Sequence, residues 1–336
     1  MWKRAVAKAH AHARVAYVGR YTMPNPLTHP TVFLWCLSRY ALAWECVRVM
    51  LKVVIDRVVI RHPRDAECAR VKFEAPKQYT GAIHALVVSA LASTALRRVL
   101  GGSSDARDWY YGRGVEHGGM DGDTRDMLEF MNWVFLGYLV QDTVHMVRAY
   151  PRLGKLDMVA HHVVFTVASV VHGVSQTMML PFTWLLLGEL STPLLTVRWS
   201  IQSGAYATKS DWVIKVAKAL GYKGDAVATH KNAGKQLEFF NGVCLMITFF
   251  SVRIVAYSIG YSHMLYVRYT GLIDAVPRSV AWPLNALVGC GAGLNAYWFS
   301  IMIRKAMQGP PPPEAAGDVS PARDAATENS RKKKSS

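Results

Sequence analysis

Seven apolar runs, each close to the roughly 20 residues that a helix needs to cross a bilayer, constrain this chain more than any other feature. They cover residues 31–51, 79–100, 130–148, 157–176, 178–199, 239–260 and 280–303. Backbone N–H and C=O groups inside lipid have no water to bond, so each run must satisfy them internally as a helix. The expected fold class is therefore all-α, a polytopic membrane helical bundle of about seven transmembrane helices. The first run is the poorest, because Arg39, Glu45 and Arg48 interrupt it. Glu45 and Arg48 stand three apart and are expected to pair on one helix face.

Charged residues make up 18% of the chain, below the roughly 25% usual for soluble domains, which supports the membrane reading. The formal net charge of +16 sits mostly in the loops between runs. There it faces anionic lipid and sets topology; no nucleic-acid motif is present, and no nucleic-acid partner is expected. Cys36, Cys46, Cys68, Cys244 and Cys290 are odd in number and lack metal spacing, so they read as buried inert thiols. Residues 1–30 form a basic segment with no clear signal-peptide core. It reads either as an interfacial stretch or as a weak likeness to a mitochondrial presequence.

The loops give an orientation. Arg57, Arg61, Arg64, Arg70, Lys72 and Lys77 follow the first run, whereas Asp105, Asp108, Glu116, Asp121, Asp123, Asp126 and Glu129 follow the second. Basic-rich and basic-poor loops then alternate, which by the positive-inside rule places the C-terminus in the cytosol. The basic N-terminus fits better if the first run does not cross, so six and seven spans both stay open. After the bundle, residues 31–305, the Pro-, Ala- and Ser-rich tail 306–336 reads as disordered. It ends Lys333-Lys334-Ser335-Ser336. A pair of lysines at this spacing resembles the dilysine signal by which coat proteins return membrane proteins to the endoplasmic reticulum.

Titratable groups inside spans are costly and mark cavities or bundle interiors. Asp142 and His145 share a face of the third run. Asp157 and His161 are four apart in the fourth, and His172 stands close to three turns further on. His162 points about 100° away from that face. Glu189 and Arg198 lie in the fifth run and His84 early in the second. With the orientation above, these groups converge on a cavity open to the cytosolic leaflet. A neutral imidazole serves as general base, and a carboxylate orients it and supports the imidazolium. The catalytic candidates are His161, His162 and Asp157, with Asp157 orienting His161. The lipid-binding candidates are Asp142, His145, Glu189, Arg198 and His84. Interhelical hydrogen bonding alone, worth on the order of 1 kcal/mol per bond, is the competing account of each. No metal site is expected, since the chain has one histidine pair and no histidine box.

Six blocks in order resemble the TLC domain family of ceramide synthases and translocon-associated TRAM proteins. They are IHALVVSAL (Ile83–Leu91), GYLVQDTVHM (Gly137–Met146), MVAHHVVF (Met158–Phe165), GELSTPLLTVRW (Gly188–Trp199), NGVCLMITFFSVRIV (Asn241–Val255) and LNAYWFSIMIR (Leu294–Arg304). The Glu189–Trp199 block looks most like the TLC domain-containing protein 4 type, also called transmembrane protein 56. The resemblance implies a TLC-type six-helix core around a lipid-accessible cavity. His161 and His162 match the family's histidine pair. The synthases' following HDxxD block is replaced by GELSTPLL (Gly188–Leu195).

Two functions follow as expectations. One is an endoplasmic reticulum protein of lipid homeostasis that binds or modifies a membrane lipid, a ceramide or phospholipid, by acyl transfer. It would need no resident cofactor, with acyl-CoA as co-substrate. The other is a non-enzymatic lipid sensor or cargo receptor using the same residues.

Overall fold

The computed structural model describes residues 22–58, 66–102, 110, 122–203, 226–271, 276 and 278–308, and their side chains except at 58, 66–68, 102 and 226–236. The Lys333–Lys334 pair, the lysines from Lys209 to Lys223 and most of the acidic 103–121 loop lie outside these residues. Among the described residues there is no strand. The helices are α1 (Pro30–Val58), α2 (Ala66–Gly102), α3 (Gly122–Arg148), α4 (Leu156–Ser175), α5 (Met179–Leu187), α6 (Thr192–Gln202), α7 (Ala226–Phe249), α8 (Tyr257–Tyr269) and α9 (Arg278–Met307). A 3-10 turn, Gly188–Ser191, joins α5 to α6, and a π-helical segment, Phe250–Ala256, joins α7 to α8. Among the described residues seven helical columns result, as the runs predict.

The columns are longer than the runs. α2 starts thirteen residues before its apolar stretch, and α3 starts at Gly122 rather than 130. Helical hydrogen bonding does not stop where hydrophobicity does, so charged flanks continue the coil. Lys77, expected in a loop, is consequently a helical residue with only 12% of its side chain exposed. Five columns are long and apolar enough to cross a membrane: Ala69–Gly101, Leu156–Ser175, Met179–Gln202, Leu237–Tyr269 and Arg278–Met307. α1 and α3 fall short on apolarity.

For α3 the reason is its place. It packs against α1, α2 and α4, and every residue from Met131 to Gly137 is buried. A helix enclosed by protein does not have to match lipid, so it carries Asn132, Gln141 and Asp142 into the interior. Its approach to α1 is close enough to require glycine: a Cβ on Gly137 would lie 2.5 Å from Tyr40 Cβ. Elsewhere α2 packs on α5 and α6, α6 on α7, and α8 on α5. α9 docks through side chains, Tyr257 donating its hydroxyl to Val288 O at 2.8 Å above Gly291.

The turn between α4 and α5 holds Gln176 (φ 54°) and Met178 (φ 62°) in the left-handed region. Non-glycine residues stay there only when their surroundings fix them. Here Gln176 Nε2 donates to Gly173 O at 2.6 Å, and the Met178 N–H donates to Tyr110 O at 2.6 Å. Tyr110 is wholly buried, which pushes its phenol up and keeps the hydroxyl neutral beside His263 Nδ1 at 2.8 Å.

The cysteines correct an expectation. Cys46 and Cys290 are exposed on the outside of the bundle, and Cys244 and Cys36 are half-buried, Cys36 packing against the cluster of Met23, Phe33, Trp133 and Leu136. Large apolar side chains share that outer surface, including Trp35, Leu42, Phe240 and Ile247. The described residues divide between two units, with the boundary after Phe299. The described part of the second, 300–308, is helical to Met307, with Arg304 Nε donating to Ser300 O at 3.4 Å.

Candidate functional site

The fourth helix places two adjacent imidazoles on different neighbours. His162 turns toward α3. Its Nδ1 lies 3.2 Å from Thr143 Oγ1, and its Nε2 lies 3.6 Å from Asp142 Oδ2. Lys77 of α2 brings Nζ to within 3.4 Å of the same carboxylate oxygen. His161, 100° around the helix, packs between Phe165 and Trp298, with ring centroids at 4.5 and 5.2 Å. Its Nδ1 is buried and has no hydrogen-bond partner within the protein.

Asp157 does not bond His161. Its Oδ2 accepts the indole N–H of Trp298 at 2.9 Å, and the same indole ring lies against His161. Any orienting effect of Asp157 on His161 therefore passes through Trp298. The carboxylate next to an imidazole of the pair is Asp142, and the imidazole is His162.

His84 stacks on Tyr138 at 3.7 Å and meets Trp44 edge-on at 5.3 Å. Both of its nitrogens are buried and without a partner within the protein. A buried polar atom without a hydrogen bond costs about 1–3 kcal/mol, so this imidazole is poorly explained as scaffold alone. Tyr138 in turn lies 6.3 Å from His162, connecting His84 to the pair.

Glu189 sits in the 3-10 turn and is held by Arg253, in the π-helical segment. Arg253 Nη2 donates to Glu189 Oε1 at 3.1 Å and Nε donates to Ser191 Oγ at 2.9 Å. Thr192 donates its hydroxyl to Glu189 Oε2 at 2.9 Å. π-helical insertions collect at functional sites, and this one aims a guanidinium inward from a lipid-spanning helix. The pair is within electrostatic reach of His161, and Glu189 also of His84 and His162. His84, Asp142, His161, His162 and Glu189 thus lie near one another.

Two candidates lie elsewhere. His145 Nε2 contacts Glu45 Oε2 at 2.8 Å, and Glu45 is also bonded by Arg48 and by Gln141 Nε2 at 2.9 Å. The expected Glu45–Arg48 pair is present. Although Asp142 and His145 share a face, one side of it meets α2 and α4 and the other meets α1. Arg198 pairs with Glu238 at 3.7 Å near the surface and is not part of the cluster.

Lys77, Thr143, Trp298 and Arg253 were not singled out from sequence. Only Arg253 had a clear signal, a lone arginine in an otherwise apolar run. Among the described residues no group of three or more His, Cys, Asp or Glu side chains is placed to hold a metal ion.

An all-helical, multi-pass bundle with a polar cluster enclosed between its spans defines a class of integral membrane protein. The family model for the TLC domain matches residues 76–304, more than half of the chain, and the chain belongs to that family. No curated protein and no solved structure matches it. α1 lies before the matched region, yet Trp44 and Glu45 reach into the bundle.

Proposed function

We propose that this protein binds a membrane lipid head group at the histidine cluster and acts in lipid homeostasis at the endoplasmic reticulum. The observation that carries the reading is the set of open imidazole nitrogens. His161 Nδ1 and both nitrogens of His84 are buried among helices without a partner. Buried polar groups of this kind are normally satisfied, and a lipid's hydroxyl, amide or amine would satisfy them. A ceramide or a phospholipid fits that chemistry. The Glu189–Trp199 block favours a protein like the TLC domain-containing protein 4 type. The alternating loop charge favours a cavity open to the cytosolic leaflet and a cytosolic C-terminus.

The catalytic form of the reading is acyl transfer from acyl-CoA. The acceptor's N–H or O–H proton passes to an imidazole nitrogen of His161 or His162. The acceptor atom bonds the thioester carbonyl carbon, the C–S bond breaks, and the CoA thiolate takes the proton. Asp142 sits beside His162, and Trp298 lies against His161.

A specific observation favours the non-enzymatic form, a lipid sensor or cargo receptor. Glu189, in the block that replaces HDxxD, is committed to Arg253 and Thr192 rather than free for chemistry.

Total lipid composition should be measured in cells lacking the protein, then restored with wild type or with His161→Ala/His162→Ala at matched expression. Wild type correcting a lipid class that the variant does not correct supports the site. Equal correction by both removes the histidines from it. Turnover of acyl-CoA by the purified protein with that lipid separates the two forms. Lys333→Ser/Lys334→Ser should release the protein from the endoplasmic reticulum, and unchanged location would overturn the retrieval signal.

A further inference from the structure

Lys77, Asp142 and His162 come from three helices and meet at one carboxylate oxygen. Lys77 Nζ lies 3.4 Å and His162 Nε2 3.6 Å from Asp142 Oδ2, with the three side chains 12%, 5% and 3% exposed for Lys77, His162 and Asp142. A buried carboxylate needs a positive partner, and here two bases compete for the role. An ammonium ordinarily holds its proton about four pH units more tightly than an imidazolium, so Lys77 is the natural cation.

The other ring nitrogen gives an independent indication. Thr143 donates its hydroxyl to Leu139 O at 2.6 Å. Toward His162 Nδ1, 3.2 Å away, Thr143 Oγ1 therefore presents a lone pair. That arrangement suits Nδ1 as the N–H donor of the ring. The 3.6 Å gap between Nε2 and Asp142 exceeds a hydrogen bond, which fits a pair that shares no proton. Among the described residues Glu189 is the other carboxylate within electrostatic reach of His162, and Arg253 already neutralises it.

We infer that Lys77 is a positioning residue of the imidazole pair: as counter-cation to Asp142 it keeps His162 a neutral Nδ1–H imidazole whose Nε2 is the open proton acceptor. Its use to the protein rests on the function proposed above; the charge arrangement does not. Without Lys77, Asp142 draws a second proton onto His162. An imidazolium has no lone pair with which to accept a proton or a donor group from a lipid.

The test is nitrogen-15 NMR of histidine-labelled full-length protein in phospholipid nanodiscs at neutral pH, with His162 assigned by its loss in His162→Gln. Wild type is expected to show one protonated and one unprotonated ring nitrogen for His162, with Nδ1 protonated. Lys77→Arg should keep this pattern, and Lys77→Met should convert both nitrogens to the protonated form. If Lys77→Met does not fold, Lys77→Met/Asp142→Asn removes both charges and should restore the neutral ring. A doubly protonated His162 in wild type, an Nε2–H tautomer, or an unchanged spectrum in folded Lys77→Met overturns the inference. In the lipid-restoration assay Lys77→Arg should act like wild type and Lys77→Met should fail. The expected spectra with no lipid effect of wild type would instead overturn the proposed function and leave the charge arrangement standing.

Discussion

The two ends of α4 carry the same kinds of residue and use them differently. His161 and His162 lie near its start, Ser169 and His172 near its end, and all four are buried. At the far end the bonds are short and directed. Ser169 donates its hydroxyl to Asn132 Oδ1 at 2.5 Å, and Asn132 Nδ2 returns a bond to Ser169 O at 3.1 Å. His172 Nδ1 donates to Thr177 O at 2.6 Å while its ring stacks on Phe182 at 4.1 Å. At the near end His162 makes contacts of 3.2 and 3.6 Å, and His161 Nδ1 makes none. Sitting in a span does not make a histidine functional. A closed hydrogen-bond set accounts for a histidine as scaffold, and an open set is what the proposed lipid site requires.

That contrast can be broken or sharpened by four substitutions. The largest effect is expected at the most closed arrangement, the Glu189–Arg253 pair. Arg253→Met leaves a buried carboxylate unpaired and should destabilise the protein by about 3–5 kcal/mol. Thermal unfolding in detergent reads this, and Glu189→Gln/Arg253→Met should recover most of the loss. A single variant as stable as wild type would show that the pair does not hold the two columns.

His172→Ala comes next. It removes a buried hydrogen bond and should cost about 1–3 kcal/mol, while lipid restoration at matched expression stays at the wild-type level. Loss of lipid restoration without loss of stability would erase the difference between the two ends of α4. Trp298→Phe deletes the bond to Asp157 but keeps a ring over His161, and should cost about 1 kcal/mol. The smallest stability change is expected at His84→Phe. An apolar ring replaces two unbonded nitrogens, so unfolding should shift by less than about 1 kcal/mol in either direction. Its lipid restoration should nevertheless fall, and a normal lipid profile would remove His84 from the site.

Much of the bundle was readable from the runs alone, because lipid leaves a polytopic chain little choice but helices. The histidine pair was readable too, since a charge-bearing group in an apolar run stands out. Pairings across the bundle were not. Asp157 and His161 are one turn apart and look like partners, yet Trp298, 141 residues from Asp157 in the chain, takes the carboxylate. His145 looks equivalent to Asp142 by spacing, but 60° of helix rotation sends it to Glu45 on α1. Lys77 looked like a loop charge because its surroundings are basic and polar, and only the continuation of α2 brings it against Asp142.

The helical membrane character is legible in the chain alone, because run length and apolarity are local properties that bilayer physics converts directly into helices; membership of the TLC domain family rests instead on the match over residues 76–304. The tertiary structure alone decided which polar groups are satisfied and which remain open. That depends on which helices are neighbours and how each is rotated, and a difference of one residue in register turns a side chain by about 100°, from a partner to none.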